Sequence, residues 1–456
     1  MSSLVRVASK QLSYVDPAKF TPYFQWSKSR SGITNSQQVR CEEVSLVQIA
    51  EAVGTPTYVY SAAAIDEAWA QLHRGLGALP HTLCFAVKSN GNLAILRRIA
   101  AAGNGFDIVS GGELALLERV GISGQRIVFS GVGKTREEVR AALQYRAGRS
   151  KHRGILLFNV ESEAELEGLI EESESLGRRG PGGPGVSIRV NPDVEAGGHP
   201  HIATGQREHK FGLGWEQAQD LYRAHRKSGS IRWAGISVHI GSQIVSMQPF
   251  RRALRQLTKY VRELGEAGIS LKYLDVGGGL GVRYTGEKPP SRASYARIIA
   301  QLVRPLGLHL LLEPGRTIIG PAGVLLTRVL YVKESGAKRF VVVDAAMNDL
   351  IRPTLYGAIH PITRVTRGGS GAIRRRADIV GPVCESGDCF LHNWPIEDVQ
   401  PGDTLAIWTA GAYGMSQTSN YNARCRPAEV LVQGNRYRVI RQRETLRDLM
   451  RLQVER

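Results

Sequence analysis

Lys88 closes the apolar run TLCFAVK (82–88). A lysine at such a position is partly desolvated, which favours the neutral amine that can attack an aldehyde. A snorkelling surface lysine would give the same local pattern. Two later runs end in different chemistry. YLDVGGGLG (273–281) carries Gly277, Gly278 and Gly279, and LLLEPGR (310–316) ends in Glu313, Gly315 and Arg316. Glycines let backbone N–H groups approach phosphate oxygens closely, and an arginine adds charge. A carboxylate beside an anion site is repelled unless the ligand also carries a protonatable nitrogen. His239, closing GISVH (235–239), offers a flat ring to an aromatic ligand. Together these describe pyridoxal 5'-phosphate, with its aldehyde on Lys88, its pyridine nitrogen at Glu313 and its phosphate at the glycines. Nucleotide binding is poorly supported. GGGLGV (277–282) fails GxGxxG at Val282, and FSGVGKT (129–135) would need a glycine at Val128 to be a P-loop.

These residues must be brought to one place. From residue 82 onward, short apolar runs alternate with stretches of helical spacing. The runs are 83–88, 106–109, 127–130, 155–159, 186–190, 235–239, 273–276 and 308–313. Helical patterns occupy 92–102, 112–120, 135–145, 161–176, 248–267 and 292–306. That alternation predicts parallel strands with helical crossovers, and eight units predict a (β/α)8 TIM-like barrel, with a doubly wound sheet as the alternative. Active residues of a barrel sit at the C-terminal ends of its strands. Those ends carry Lys88, Asp107 with Ser110, Ser130, Asn159, Arg189 with Asn191, His239, the three glycines and Glu313.

Beyond residue 323 the texture changes. Apolar runs at 324–332, 340–344, 378–383, 403–408, 428–432 and 437–440 are separated by Gly, Pro and Asp turns, which predicts a mostly antiparallel β domain. The expected organisation is an N-terminal segment, 1–55, that joins the β domain, a barrel over 56–322 and the β domain over 323–456. The fold class is α/β.

The 456 residues are 42% hydrophobic and 22% charged, enough for a large core without disulfides. There is no apolar run long enough to span a membrane, and the N-terminus lacks the apolar stretch of a secretory signal. Five scattered cysteines fit a reducing cytoplasm. Cys384 and Cys389 have no second ligand pair, so no metal site is expected. The net charge of +18 is spread along the chain, with denser patches at Arg374–Arg376 and from Arg436 to Arg456. It reads as solvated faces that draw in anionic ligands, with no nucleic-acid and no membrane partner.

At the level of motifs the chain resembles the fold-type III pyridoxal-phosphate decarboxylases, and within them the diaminopimelate decarboxylases. The matching segments include FAVKSNGN (85–92), GFDIVSGGEL (105–114), FSGVGKT (129–135), TGQREHKFGL (204–213), VHIGSQI (238–244), LDVGGGLG (274–281), LEPGRTIIG (312–320), DAAMNDLIRPTLYGA (344–358), GPVCESGD (381–388) and GAYGMSQTSNYN (411–422). The resemblance implies an alanine-racemase-like barrel with a β domain to which both termini contribute. It implies decarboxylation of meso-2,6-diaminopimelate to L-lysine and carbon dioxide, the last step of lysine biosynthesis by that route, in a cytoplasmic homodimer with shared active sites.

By that resemblance Lys88 binds the cofactor's aldehyde, Glu313 pairs with the pyridinium nitrogen, His239 stacks on the ring and Asp107 supports the lysine or cofactor side. Ser242, Gly278, Gly279, Gly315 and Arg316 hold the phosphate and nearby substrate. Arg316, Arg352, Tyr356, Glu385 and Tyr413 match cofactor or substrate contacts, and Cys384 matches the proton donor, supplied by the second subunit. The chemistry is coherent, because arginine suits a distal carboxylate, Glu385 the distal ammonium, and a thiol can protonate carbon. Two alternatives stay open: a decarboxylase of this fold acting on a siderophore precursor or carrier-bound amino acid, and a non-catalytic pyridoxal-phosphate carrier. The former would change Arg352, Tyr356 and Glu385; the latter would need neither the β domain nor CESGD.

Overall fold

A computed structural model describes residues 14–28, 37–147, 153–195, 210–367 and 373–454. Residues 1–13 of the N-terminal segment and the TGQREH part of the matched run 204–213 lie outside them. The chain divides into two compact units. One comprises 66–282 and 288–318; the other comprises 1–65, 283–287 and 319–456.

In the first unit eight parallel strands close into a barrel. They are β1 (His81–Ala86), β2 (Gly105–Ile108), β3 (Ile127–Phe129), β4 (Leu157–Val160), β5 (Gly185–Arg189), β6 (Arg232–Ser237), β7 (Tyr273–Asp275) and β8 (His309–Leu312), with β8 pairing back onto β1. Closure excludes the doubly wound alternative. Cys84, Val128, Leu157, Ala234 and Leu311, from five of the strands, pack into one buried apolar cluster. The strands are fully buried along most of their length, which is why they read as continuous apolar runs rather than alternating ones.

The loops at the C-terminal ends of the strands are stopped by capping residues. Asn92 caps α1 (Leu93–Ala101), Ser110 caps α2 (Gly111–Val120), Thr135 forms a capping box with Glu138 at α3 (Arg136–Gln144), and Ser162 caps α4 (Glu163–Ser175). Each cap satisfies an orphan helix N–H and fixes where the preceding loop ends. Further helices α5 (Trp215–Ala224), α6 (Gln248–Glu266) and α7 (Arg292–Val303) follow β5, β6 and β7.

In the second unit the long strand β9 (Gly323–Ser335) is central. It pairs antiparallel with Thr57–Ser61 on one side and with β10 (Lys338–Val343) on the other. Strands β11 (Ile362–Arg364), β12 (Arg374–Val380), β13 (Cys389–Glu397), β14 (Thr404–Ile407), β15 (Ala428–Gln433) and β16 (Arg436–Arg441) complete a nine-stranded sheet. Most neighbours are antiparallel; β10 with β12, and Thr57–Ser61 with β15, run parallel. The sequence reading ended the N-terminal contribution at residue 55. Thr57–Ser61 belongs to this sheet, and the compact unit runs on to Ile65.

Candidate active site

Lys88 sits in a single 3-10 turn (Val87–Ser89) just beyond β1. Its Nζ donates to Oδ2 of Asp107 on β2 at 2.9 Å. The lysine side chain is 35% exposed while Asp107 is fully buried, so the amine is pinned at its inner side and reachable at its outer one. Lys88 lines a cavity of about 400 Å3 at the C-terminal mouth of the barrel, together with Ser130, Asn159, His239, Asp275 and Glu313.

Glu313 follows β8 and is 7% exposed. Its Oε1 accepts from Ser130 Oγ at 3.2 Å and Asn159 Nδ2 at 3.5 Å. Asn159 also donates to Asp275 Oδ2 at 2.9 Å, and the Asp275 Oδ1 accepts the Gly277 N–H. Burial, then the charges of Asp107 and Asp275, push the Glu313 carboxyl well above the usual range, and burial raises Asp275 too. The two carboxyls are linked through the Asn159 amide, and burial together with their mutual repulsion disfavours ionising both at once.

His239 lies beyond β6. The Gly278 N–H donates to its Nδ1 at 3.1 Å, which leaves the ring proton on Nε2. Burial, then the positive charges of Arg189 and Lys88, hold the ring well below its ordinary pKa, so it is neutral. Arg189 donates to Glu161 Oε1 at 2.9 Å and to the His239 carbonyl at 3.5 Å, and Glu161 Oε1 also accepts the Gly131 N–H at 3.0 Å. This buried ion pair braces the histidine against the loop after β3. Lys134 of FSGVGKT is consumed there: only 1% exposed, it donates to the Gly131 and Asn159 carbonyls and to Glu165. That lysine is an internal tie, in keeping with the rejected P-loop.

The glycines admit nothing larger. A Cβ on Gly277, at φ +66°, would stand 2.6 Å from His239 Nδ1, and one on Gly278 would strike the Glu313 carbonyl. Gly279 has φ +101°, where its Cβ would meet the Gly241 carbonyl, and a Cβ on Gly315 would press on Ala86 and Ser89 at 3.1 Å. Arg316 opens a short helix and donates to Ser242 Oγ at 3.0 Å.

The remaining expected residues lie in the β-rich unit. Arg352 is buried and Tyr356 ends the same short helix, its hydroxyl accepting from Gln417 Nε2 at 3.3 Å. Cys384 and Glu385 are exposed on the turn between β12 and β13. The Cys384 N–H donates to Asn422 Oδ1 at 3.3 Å, and Glu385 Oε2 accepts from Tyr421 at 2.9 Å. Glu385 also lines a second cavity of about 490 Å3 with Met347, Asn348, Ile351, Ser419 and Tyr421. Tyr413 takes a left-handed backbone, φ +55°.

The barrel cavity fits pyridoxal phosphate. Lys88 and Arg189 line it but are already paired with Asp107 and Glu161, so the lining carboxyls of Asp275 and Glu313 have no cation of their own, a lack that a protonated ring nitrogen would make good. Among the described residues, Asp107 Oδ1 and Asn159 Oδ1 are buried without hydrogen-bond partners. A neutral imidazole and a cradle closed to any Cβ complete the match. Asp275, Glu161 and Lys134 were not singled out from the sequence. The first could have been, since it lies two residues before the triglycine; the other two act mainly through partners that folding brings in, Arg189 for Glu161 and Asn159 and Glu165 for Lys134.

Residues 62–320 match the family model described as pyridoxal-dependent decarboxylase, pyridoxal binding domain. The chain is 47% identical over 409 residues to the diaminopimelate decarboxylase of Pseudomonas fluorescens, covering 90% of this chain and 95% of that one. It is 42% identical to that of Aquifex aeolicus, over 93% and 96% of the two chains. Among solved structures it is similar to diaminopimelate decarboxylase from Helicobacter pylori complexed with L-lysine, with a TM-score of 0.83 and 39% identity over 89% of this chain and 98% of that one. It is also similar to the enzyme from M. jannaschii in co-complex with L-lysine, with a TM-score of 0.85 and 32% identity over 96% and 98%.

Proposed function

The chain belongs to the pyridoxal-dependent decarboxylases and, within them, to the diaminopimelate decarboxylases; from that premise we propose that it converts meso-2,6-diaminopimelate to L-lysine and carbon dioxide with pyridoxal 5'-phosphate, and which residues do so. The observation that carries this is the convergence of Lys88, neutral His239 and the buried carboxyl of Glu313 on one barrel-mouth cavity.

When bound, the cofactor supplies an electron sink for the pair left behind by departing carbon dioxide. Lys88 holds its aldehyde, and Asp107 fixes the amine. Glu313, whose carboxyl burial keeps above the usual range, would give its proton to the ring nitrogen and remain beside the resulting cation as the paired carboxylate. His239 would offer its neutral ring to the cofactor's ring, sparing the site another cation. Ser242, Gly278, Gly279, Gly315 and Arg316 hold the phosphate.

Arg352 and Glu385 read the carboxylate and ammonium of the amino-acid centre that does not react, with Arg316, Tyr356 and Tyr413 as further contacts. The Cys384 thiol returns a proton to the carbon that has lost carbon dioxide, so a C–C bond is replaced by C–H. The protein acts as a homodimer in which Cys384 serves the partner's Lys88, and it works in the cytoplasm. The family's motifs support these roles, and the exposure of Cys384 and Glu385 on one chain is consistent with them.

The test is a substrate panel. Arg352 is buried, and a site built around a buried polar partner rejects analogues that leave it unpaired by roughly 10⁴-fold or more. Meso-diaminopimelate should be turned over, and lysine and ornithine rejected by that order. Comparable turnover of lysine or ornithine would show that Arg352 and Glu385 do not read the distal centre, and would favour the reading with another substrate.

A further inference from the structure

Arg352 is held by two neutral groups. Its Nη1 donates to the Tyr284 hydroxyl at 2.9 Å and to His360 Nε2 at 2.8 Å. All three side chains belong to the β-rich unit and are buried, His360 to 1% exposure. A guanidinium has no acceptor, so His360 Nε2 is bare and its proton is on Nδ1, which donates to the Trp408 carbonyl at 2.9 Å. Trp408 is itself fixed. Its N–H donates to the Pro361 carbonyl, and its indole Nε1 donates to Thr363 Oγ1 on β11 at 2.9 Å. The Tyr284 ring meets His360 edge-on, with centroids 5.0 Å apart.

Among the described residues no carboxylate lies within ion-pair distance of Arg352, and both of its side-chain hydrogen bonds use Nη1. A buried guanidinium with only neutral partners is costly until an anion reaches it. The edge formed by Nε and Nη2 is the one that pairs bidentately with a carboxylate.

We propose that His360, seconded by Tyr284, is a positioning residue for substrate selection: it anchors one corner of the Arg352 guanidinium to the sheet and leaves the opposite edge for the distal carboxylate of the substrate. This rests on the reading of Arg352 as the distal-carboxylate contact. His360 touches no reacting atom. It acts through Arg352, and the carbonyl of Trp408, one residue beyond β14, selects the tautomer that makes this possible.

Decarboxylation leaves the distal amino-acid centre intact in L-lysine, whereas 1,5-diaminopentane lacks its carboxylate. The two ligands therefore separate a carboxylate effect from a general one. Holoenzymes carrying His360→Phe, His360→Gln, Tyr284→Phe, Arg352→Ala and the His360→Phe/Arg352→Ala pair are compared by the dissociation constants of both ligands and by KM and kcat for meso-diaminopimelate.

His360→Phe should weaken L-lysine and raise KM about tenfold, the usual scale for loss of one hydrogen bond to a charged group. It should change kcat by less than about threefold and leave the diamine unaffected. His360→Gln, which restores an acceptor, should recover most of the loss. Tyr284→Phe, which preserves packing, should show the same signature more weakly and carries the test if His360→Phe does not fold. In the Arg352→Ala background, His360→Phe should add less than about twofold, since the coupled partner is gone. Equal weakening of both ligands, or a full additional effect in the Arg352→Ala background, would overturn the inference by showing that His360 acts on the fold at large. Unchanged L-lysine binding in His360→Phe and Tyr284→Phe, with Arg352→Ala impaired, would overturn the positioning role alone. Unchanged binding in Arg352→Ala would overturn the reading of Arg352 and the inference with it.

Discussion

At the scale of single residues, burial raises the carboxyls of Glu313 and Asp275 that line the barrel-mouth cavity. Lys88, His239 and Glu313 were legible because each ends an apolar run and each has a chemistry that needs a reason to be there. Asp275, Glu161 and His360 were not, because their meaning lies in partners brought in by folding: Asn159, Arg189 and Arg352. Glu113 is a further case. It sits in the first turn of α2, accepts the Val109 N–H at 2.8 Å, and is pushed by burial to a pKa of about 7. The folded protein then keeps a proton that the unfolded chain releases above the ordinary glutamate value. The stabilisation is complete below that value and is lost as pH rises through about 7. Glu113→Gln keeps an acceptor for Val109 without this loss. Relative to wild type, its stability should gain on the order of 2 kcal/mol between pH 4.5 and 8.5, a figure discounted for partial exposure. Urea unfolding of the apoprotein at several pH values measures this; parallel pH curves for the two proteins would contradict it.

At the scale of elements the barrel was legible because its strands are buried on both faces and its first four helices begin at capping side chains, so both leave local marks in the sequence. What was missed had no such mark. Thr57–Ser61 is a buried run just before a helix, indistinguishable along the chain from the start of a barrel unit; only pairing with β9 and β15 assigns it to the other sheet. β13 contains Pro395 and a left-handed Asn393, exposes His392 and Asn393 side by side and pairs with irregular register, all of which breaks a strand pattern. The loop after β7 is sensitive to change. Gly278→Ala would drive a methyl into the Glu313 carbonyl and displace the N–H that orients His239. We expect a loss of several kcal/mol of stability or a rearranged loop, because the obstacle is backbone and cannot rotate away. Cofactor affinity should fall at least tenfold even where the variant folds. Thermal melting of the apoprotein and titration with pyridoxal phosphate check both; a variant that binds cofactor like wild type would show that this loop is not the cradle.

At the scale of the molecule, the two-unit organisation follows from a change of texture near residue 323, yet the sequence did not show that 283–287 segregates with the β-rich unit. That return brings Tyr284 to Arg352 and His360, a contact spanning 68 residues from Tyr284 to Arg352 that no local pattern encodes. The proposed dimer makes a quantitative prediction. Lys88→Ala and Cys384→Ala homodimers should each be strongly impaired. After subunit exchange, about half the dimers are mixed, and each mixed dimer has one site with both residues intact, so activity should recover to roughly a quarter of wild type. No recovery, with exchange shown independently, would place both residues in one chain. The central claim, that this barrel mouth removes carbon dioxide from diaminopimelate through Lys88, is tested most directly by measuring L-lysine and carbon dioxide released from meso-diaminopimelate by the wild-type holoenzyme and by Lys88→Ala given the same cofactor. One lysine for each carbon dioxide from the wild type, and none above the protein-free rate from Lys88→Ala, is the predicted result; no lysine from the wild type, or equal yields from the two proteins, would contradict it.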